Sequence, residues 1–258
     1  MPAQISTLQQ IKNRLLGVPQ GRLDIRYALF TDFTQIPKLD ATFELNDGSL
    51  ANLEATTETA LIAHPGLMME GTNAVNTCGA YAASGGVTLT TTTASADQVI
   101  ISPASHANLP NPWYTTEWST AKQVRFSCVI ETASANLATT TIWAGLKLTK
   151  ASAVDTDNDQ AFFRFAGASD TYWTMNTSNN GTDSSVNTTK APAVSTVYAF
   201  DINVDSNRYP HYYINGDWVG TGVQLASLTT LKPFIGVQTA TTAARAITVK
   251  SLGISRTY

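Results

Sequence analysis

The chain has 258 residues, 43% hydrophobic and only 14% charged, with a net charge of −3. That apolar content supports a packed core and excludes a disordered chain, which pairs high charge with few aromatics; the length suits one sizeable domain with extensions or two small ones. The mildly acidic balance argues against a phosphate-backbone binder, and no apolar run approaches membrane-spanning length, so neither a nucleic acid nor a membrane is expected as a partner.

At the N-terminus, Lys12 and Arg14 interrupt the only apolar candidate for a signal peptide, so synthesis in a cytoplasm is expected. STLQQIKNRLLG predicts a short helix over about 6–16. Ser6 or Thr7 caps it, Leu8, Ile11, Leu15 and Leu16 share one face, and Gly17 and Pro19 end it. A helix of about three turns is marginal alone and needs a surface to dock on. The following stretch has no clean period and reads as an extended arm with short strands, TFEL at 42–45 being the clearest. The charges here are segregated. Lys12, Arg14, Arg22, Arg26 and Lys38 precede a stretch from Leu39 to Ala121 with no Lys or Arg and eight acids between Asp40 and Glu117. Such a stretch either lies against something basic, its own arm or a neighbouring subunit, or reflects composition alone.

From Gly85 the pattern changes to short strands at regular spacing. In QVRFSCVIET, Val124, Phe126, Cys128 and Ile130 point inward, and in TVYAFDINVD so do Tyr198, Phe200, Ile202 and Val204. Asn215-Gly216 between YYI and DWV predicts a two-residue hairpin, because both corner positions need positive φ. In the last strand Ile247 and Val249 have one parity and Leu252 and Ile254 the other, which predicts a bulge near Ser251. Strands separated by turns, with no helical segment after residue 85, predict an all-β antiparallel two-sheet sandwich over 86–258, preceded by an N-terminal arm over 1–85.

The succession RFSCVIET, TIWAGLKL, DQAFFRF, YWTMNTSNNGT, VYAFDINVDSNRYPHYYINGDWVG, LKPFIGVQT and ARAITVKSLGIS resembles the concanavalin A-like lectin/laminin-G jelly rolls. More narrowly, GGVTLTTTTASADQVIISP, PWYTTEWST and AGLKLT with DNDQAFFRF resemble segments of structural proteins of tailed bacteriophages, marine ones especially. The resemblance covers about 85–258 and carries over no catalytic residue.

Glycosidase chemistry needs two carboxylates roughly 5–10 Å apart, which enzymes of this fold carry as E-x-D-x-x-E on one strand. No such run occurs. Glu131 leads into TASAN, and Asp201 and Asp205 share a strand face with the polar exterior. The chain is therefore expected not to be an enzyme. Asp155, Asp157 and Asp159 in DTDND offer alternate carboxylates that suit calcium, or form a solvated loop; the EF-hand pattern fails at Gln160 and Ala166. No other cofactor is expected. His64, His106 and His211 lack metal-like partners, and Cys78 and Cys128, fifty residues apart, read as free and buried. Trp143 and Trp173 read as core. Trp113, Tyr114 and Trp118, in a Pro-rich connection, and Trp218, after the hairpin corner, either stack on a glycan or cover the sandwich edge or a subunit interface.

The resemblance implies a virion structural protein, a capsid decoration or cement protein anchored by its arm, localised on the virion and made in the host cytoplasm. Its expected partners are itself, as a homotrimer like many decoration proteins and tail fibres, and the major capsid protein or another virion protein. The arm contacts would be Leu8, Ile11, Leu15 and Leu16 with the basic Lys12, Arg14, Arg22 and Arg26. The alternative is a carbohydrate-binding module, on a phage tail or fibre, that adheres to surface glycans.

Overall fold

The computed structural model describes residues 26–33, 36–39, 63–103, 112–149 and 154–257. Its strands are β1 (Arg26–Thr31), β2 (Ile36–Leu39), β3 (Ala63–Glu70), β4 (Gly79–Tyr81), β5 (Val87–Thr90), β6 (Gln98–Pro103), β7 (Arg125–Thr132) and β8 (Thr140–Lys147). They continue with β9 (Gln160–Ala166), β10 (Thr174–Asn179), β11 (Thr182–Asn187), β12 (Val197–Val204), β13 (Pro210–Ile214), β14 (Asp217–Thr221), β15 (Lys232–Thr239) and β16 (Ala246–Thr257). The first sheet runs β14-β13-β12-β7-β16-β5-β4, with β1 beside β5 on the same flank of β16; the second runs β11-β10-β9-β8-β15-β6-β3-β2. All pairs are antiparallel except β2 with β3. The fold is an all-β, two-sheet jelly-roll sandwich.

Alternation places the core between the sheets. Val124, Phe126, Cys128 and Ile130 of the β7 segment meet Tyr198, Phe200, Ile202 and Val204 of β12 there, as their spacing predicts. From the second sheet, Phe163 packs 4.7 Å from Phe200 and edge-on 5.0 Å from Tyr212 (ring centroids). Tyr212 is fully buried, so its hydroxyl needs partners; it donates to the Asn176 carbonyl at 2.8 Å and lies 3.0 Å from the Thr177 hydroxyl. Asn215 and Gly216 have φ of 53° and 87° at the β13–β14 corner. The β16–β7 register shifts between Val249 and Ser251, which lets Ile247, Val249, Leu252 and Ile254 all reach the core despite opposite parities. Cys78 and Cys128 are free and buried.

Four strands of the sandwich, β1 to β4, come from the segment assigned to the arm. β1 pairs along β16 from Arg26↔Thr257 to Thr31↔Leu252, and Phe33 is buried in the core. The reason is physical: without β1, half of the twelve-residue β16 would have no partner on that flank. The expected helix, with Leu8, Ile11, Lys12, Arg14, Leu15, Leu16 and Arg22, and the TFEL strand lie outside the described residues. Arg26 opens β1; its side chain is likewise outside them.

Candidate functional site

Two sheet faces point away from the core, and they differ. On the first sheet's outer face Glu131 pairs with Lys250 at 2.8 Å. Asp201 lies opposite Ser127, and Glu131 opposite Val197 four residues away along β12, so the two acids occupy different rows. At that sheet's edge His211 Nε2 lies 3.1 Å from Asp205 and its Nδ1 2.8 Å from the Thr221 hydroxyl.

The second sheet's outer face is apolar at its centre. Ile100, Trp143, Phe162 and Phe234 alternate with core-facing Ile101, Ile142, Phe163 and Ile235 on the same strands, and they form a separate buried cluster. Val154, from the short turn Val154–Thr156 between β8 and β9, packs into this cluster and fills the middle of the face. Gly236 lies opposite both Ile100 and Trp143 in the ladders; a Cβ there would stand 2.9 Å from Ile100 and 3.3 Å from Trp143. Glycine lets those large groups approach each other over the sheet.

Beside the cluster the face becomes polar and opens. Lys232 lies opposite Lys147, Lys147 opposite Gln160, and Gln160 opposite Ser178. A cavity of about 290 Å³ is lined there by Ser102 and Pro103 at the end of β6, Tyr114, Lys147 to Thr149 at the end of β8, and Lys232 to Phe234 at the start of β15. Tyr114 belongs to a single helical turn, Pro112–Thr115, whose leading proline suits a first helical position. Lys232 donates to the Tyr114 carbonyl at 2.7 Å and lies 4.2 Å from the centre of its ring. Burial pushes the Lys232 amine below the ordinary lysine value. Lys147 is fully buried (0% exposed); burial lowers its amine too, opposed by the nearby Glu70 and Asp157 carboxylates. Three buried polar groups on this face, the Ser102 hydroxyl, the Gln160 amide oxygen and the Trp143 indole N–H, have no hydrogen-bond partner among the described residues. In a folded interior such groups are normally paired.

Of the aromatic residues read as glycan-stacking, only Tyr114, 36% exposed, lies in this pocket. Trp113 and Trp118 are 7% and 0% exposed and belong to the core, which corrects the glycan-stacking alternative for these two and agrees with the covering one. The Trp118 indole donates to the Trp113 carbonyl at 3.0 Å, and its ring stacks on Tyr27 at 5.7 Å, so β1 covers it. Trp218 is 62% exposed but stands opposite Tyr213 at the edge of the other sheet. Trp143 is buried as expected, 4% exposed, within the second cluster.

Two of the DTDND carboxylates accept hydrogen bonds. Asp157 accepts from the Thr149 backbone N–H and hydroxyl, both at 2.6 Å, and Asp159 accepts from the Asn180 N–H at 3.4 Å. The Asp155 side chain lies outside the described residues, among which no cluster of three metal-ligating side chains forms. Lys147, Lys232, Ser102 and Gln160 were not singled out in the sequence. The alternation that puts Lys147 and Gln160 on one face is visible there, but their burial is not.

No protein-family model and no curated protein sequence matches the chain. Solved structures do match its fold. A protein of unknown function from Shewanella oneidensis MR-1 superposes with a TM-score of 0.58 at 10% identity, over 100% of this chain and 96% of that one. A family 7 alginate lyase gives 0.52 at 15% identity, over 71% and 85% of the two chains. A Bacillus licheniformis β-glucanase gives 0.52 at 11% identity, over 74% and 92%. These neighbours agree with the concanavalin A-like half of the resemblance, and none of them bears on a phage origin. They also correct the expectation that the chain is not an enzyme, since an alginate lyase and a β-glucanase are enzymes built on this architecture. The absence of E-x-D-x-x-E from one strand was too narrow a criterion. The chain has the jelly-roll fold that these polysaccharide-acting proteins share.

Proposed function

We propose that this protein is a carbohydrate-binding jelly roll whose pocket between β6, β8, β15 and the Tyr114 turn receives a sugar. The observation that carries the reading is the composition of that pocket: an accessible tyrosine ring, two lysines and a buried, unpartnered serine hydroxyl around about 290 Å³. A sugar ring offers a C–H face to an aromatic side chain and hydroxyls to fixed polar groups, the mixture that small-molecule pockets use for affinity and orientation. The fold shared with proteins named for alginate and β-glucan supports the same reading. A virion setting, a capsid partner and a trimer rest on the sequence resemblance alone; on a virion, the glycan would be one of the host surface.

Isothermal titration against a panel including alginate and β-glucan tests the proposal, with reducing ends and unsaturated products assayed in the same mixtures to read any turnover. Binding to at least one polysaccharide is expected, weakened about tenfold or more in Tyr114→Ala, a loss of about 1.4 kcal/mol. Binding to none, or undiminished binding by a folded Tyr114→Ala protein, contradicts it.

A further inference from the structure

Resting on the glycan-binding reading, we infer that the pocket selects a carboxylated sugar and receives it as the terminal residue of a chain.

The charge argument turns on Lys232. Among the described residues its ammonium meets only the Tyr114 carbonyl, at 2.7 Å, and the Tyr114 ring, at 4.2 Å. No carboxylate among the described residues pairs with it. Lys147, beside it in the ladder, differs, because Glu70 and Asp157 act on it electrostatically. The pocket wall therefore carries one cation that is balanced by acids and one that is not. A half-buried ammonium without a counterion is costly to maintain, and an anionic ligand removes that cost. The Tyr114 carbonyl and ring fix the ammonium in place, so a ligand carboxylate meets a preorganised donor. Ser102 lines the same space and is 2% exposed, and its buried hydroxyl has no hydrogen-bond partner among the described residues. It supplies a second donor for a carboxylate or ring hydroxyl.

The geometry argument turns on Val154. An open cleft across the sheet would let a polysaccharide run over β15, β8 and β9. Here Ile100, Trp143, Val154, Phe162 and Phe234 pack into one buried cluster over those strands. The remaining space of about 290 Å³ ends at Phe234, which belongs to both the pocket lining and that cluster. Phe234 and the cluster bound the pocket on its β8–β9 side, and its volume lies at the small end of the range for ligand sites, suited to one or two rings.

The test is calorimetric titration of the full chain with trisaccharides of galacturonate, glucuronate and mannuronate, each against its methyl ester, which keeps the ring and removes the charge. At low ionic strength at least one acid is expected to bind tenfold or more tightly than its ester. Lys232→Met should abolish that preference and Lys232→Arg should keep it, with thermal melts verifying that both variants fold. With a long polymer of the preferred sugar, the stoichiometry should stay at one protein per accessible chain end whatever the length. Three outcomes overturn the inference: acid and ester binding equally, Lys232→Met retaining the preference, or stoichiometry rising with chain length. If binding to the polysaccharide panel persists, each of these leaves the glycan-binding reading standing. Failure of every sugar, charged or neutral, defeats both.

Discussion

At Lys232, burial and protonation are coupled. Burial lowers its amine below the ordinary value of 10.5, with no acid partner among the described residues to oppose it. The unfolded state therefore holds the proton more tightly than the folded state. Stability tied to this group must rise with pH between the lowered folded value and 10.5, and below that window the full cost of the buried charge is present. Relative to Lys232→Met, the wild-type protein is expected to gain stability as pH rises from 7 toward 10.5, measured by urea unfolding at several pH values. A constant difference would mean that Lys232 is as well solvated in the folded state as in the unfolded one. A second residue-scale expectation concerns Gly216, whose φ of 87° suits glycine. Gly216→Val should destabilise by about 1–3 kcal/mol, read from the denaturant midpoint.

At the scale of elements, β1 is more than the stem of an arm. Its ladder along β16, the Tyr27–Trp118 stack and buried Phe33 tie residues 26–33 to the core. Phe33→Ala is expected to cost about 3–5 kcal/mol in equilibrium unfolding; a cost near zero would mean that β1 docks without supporting the sandwich. The sequence shows why β1 was harder to foresee than β7 or β12. QVRFSCVIET alternates cleanly, so parity alone assigns its core face, and the parity switch in β16 encodes the bulge. RYALFT has no such alternation, and its place depends on a β16 partner more than 200 residues away. AFFRFA and TIWAGLKL are apolar at both parities, so they announce buried strands without saying which side faces the core. Trp143 and Trp173 both read as core for that reason, and only the structure shows that they are buried on opposite sides of the second sheet. The pocket was less legible still: its residues come from around positions 102, 114, 148 and 233, and only the order of β6, β15 and β8 brings them together.

At the scale of the whole molecule, the two sheets share one core but have unlike exteriors. The first sheet's outer face carries an ion pair between Glu131 and Lys250, a small buried cluster of Val129 and Ala199 against Phe30, buried Ser127 and Ser251, and an exposed Trp218 at its edge. The second hides aromatics, a fully buried lysine and unpartnered polar groups beside a cavity. The most direct measurement is a residue-resolved amide NMR titration of the labelled full chain with the tightest-binding sugar. Shift changes are expected to concentrate at Ser102, Tyr114, Lys147 to Thr149, and Lys232 and Phe234, with Trp218 and the first sheet's outer face unchanged. Changes centred on Trp218 and the β13–β14 edge, with the pocket residues silent, would contradict the account.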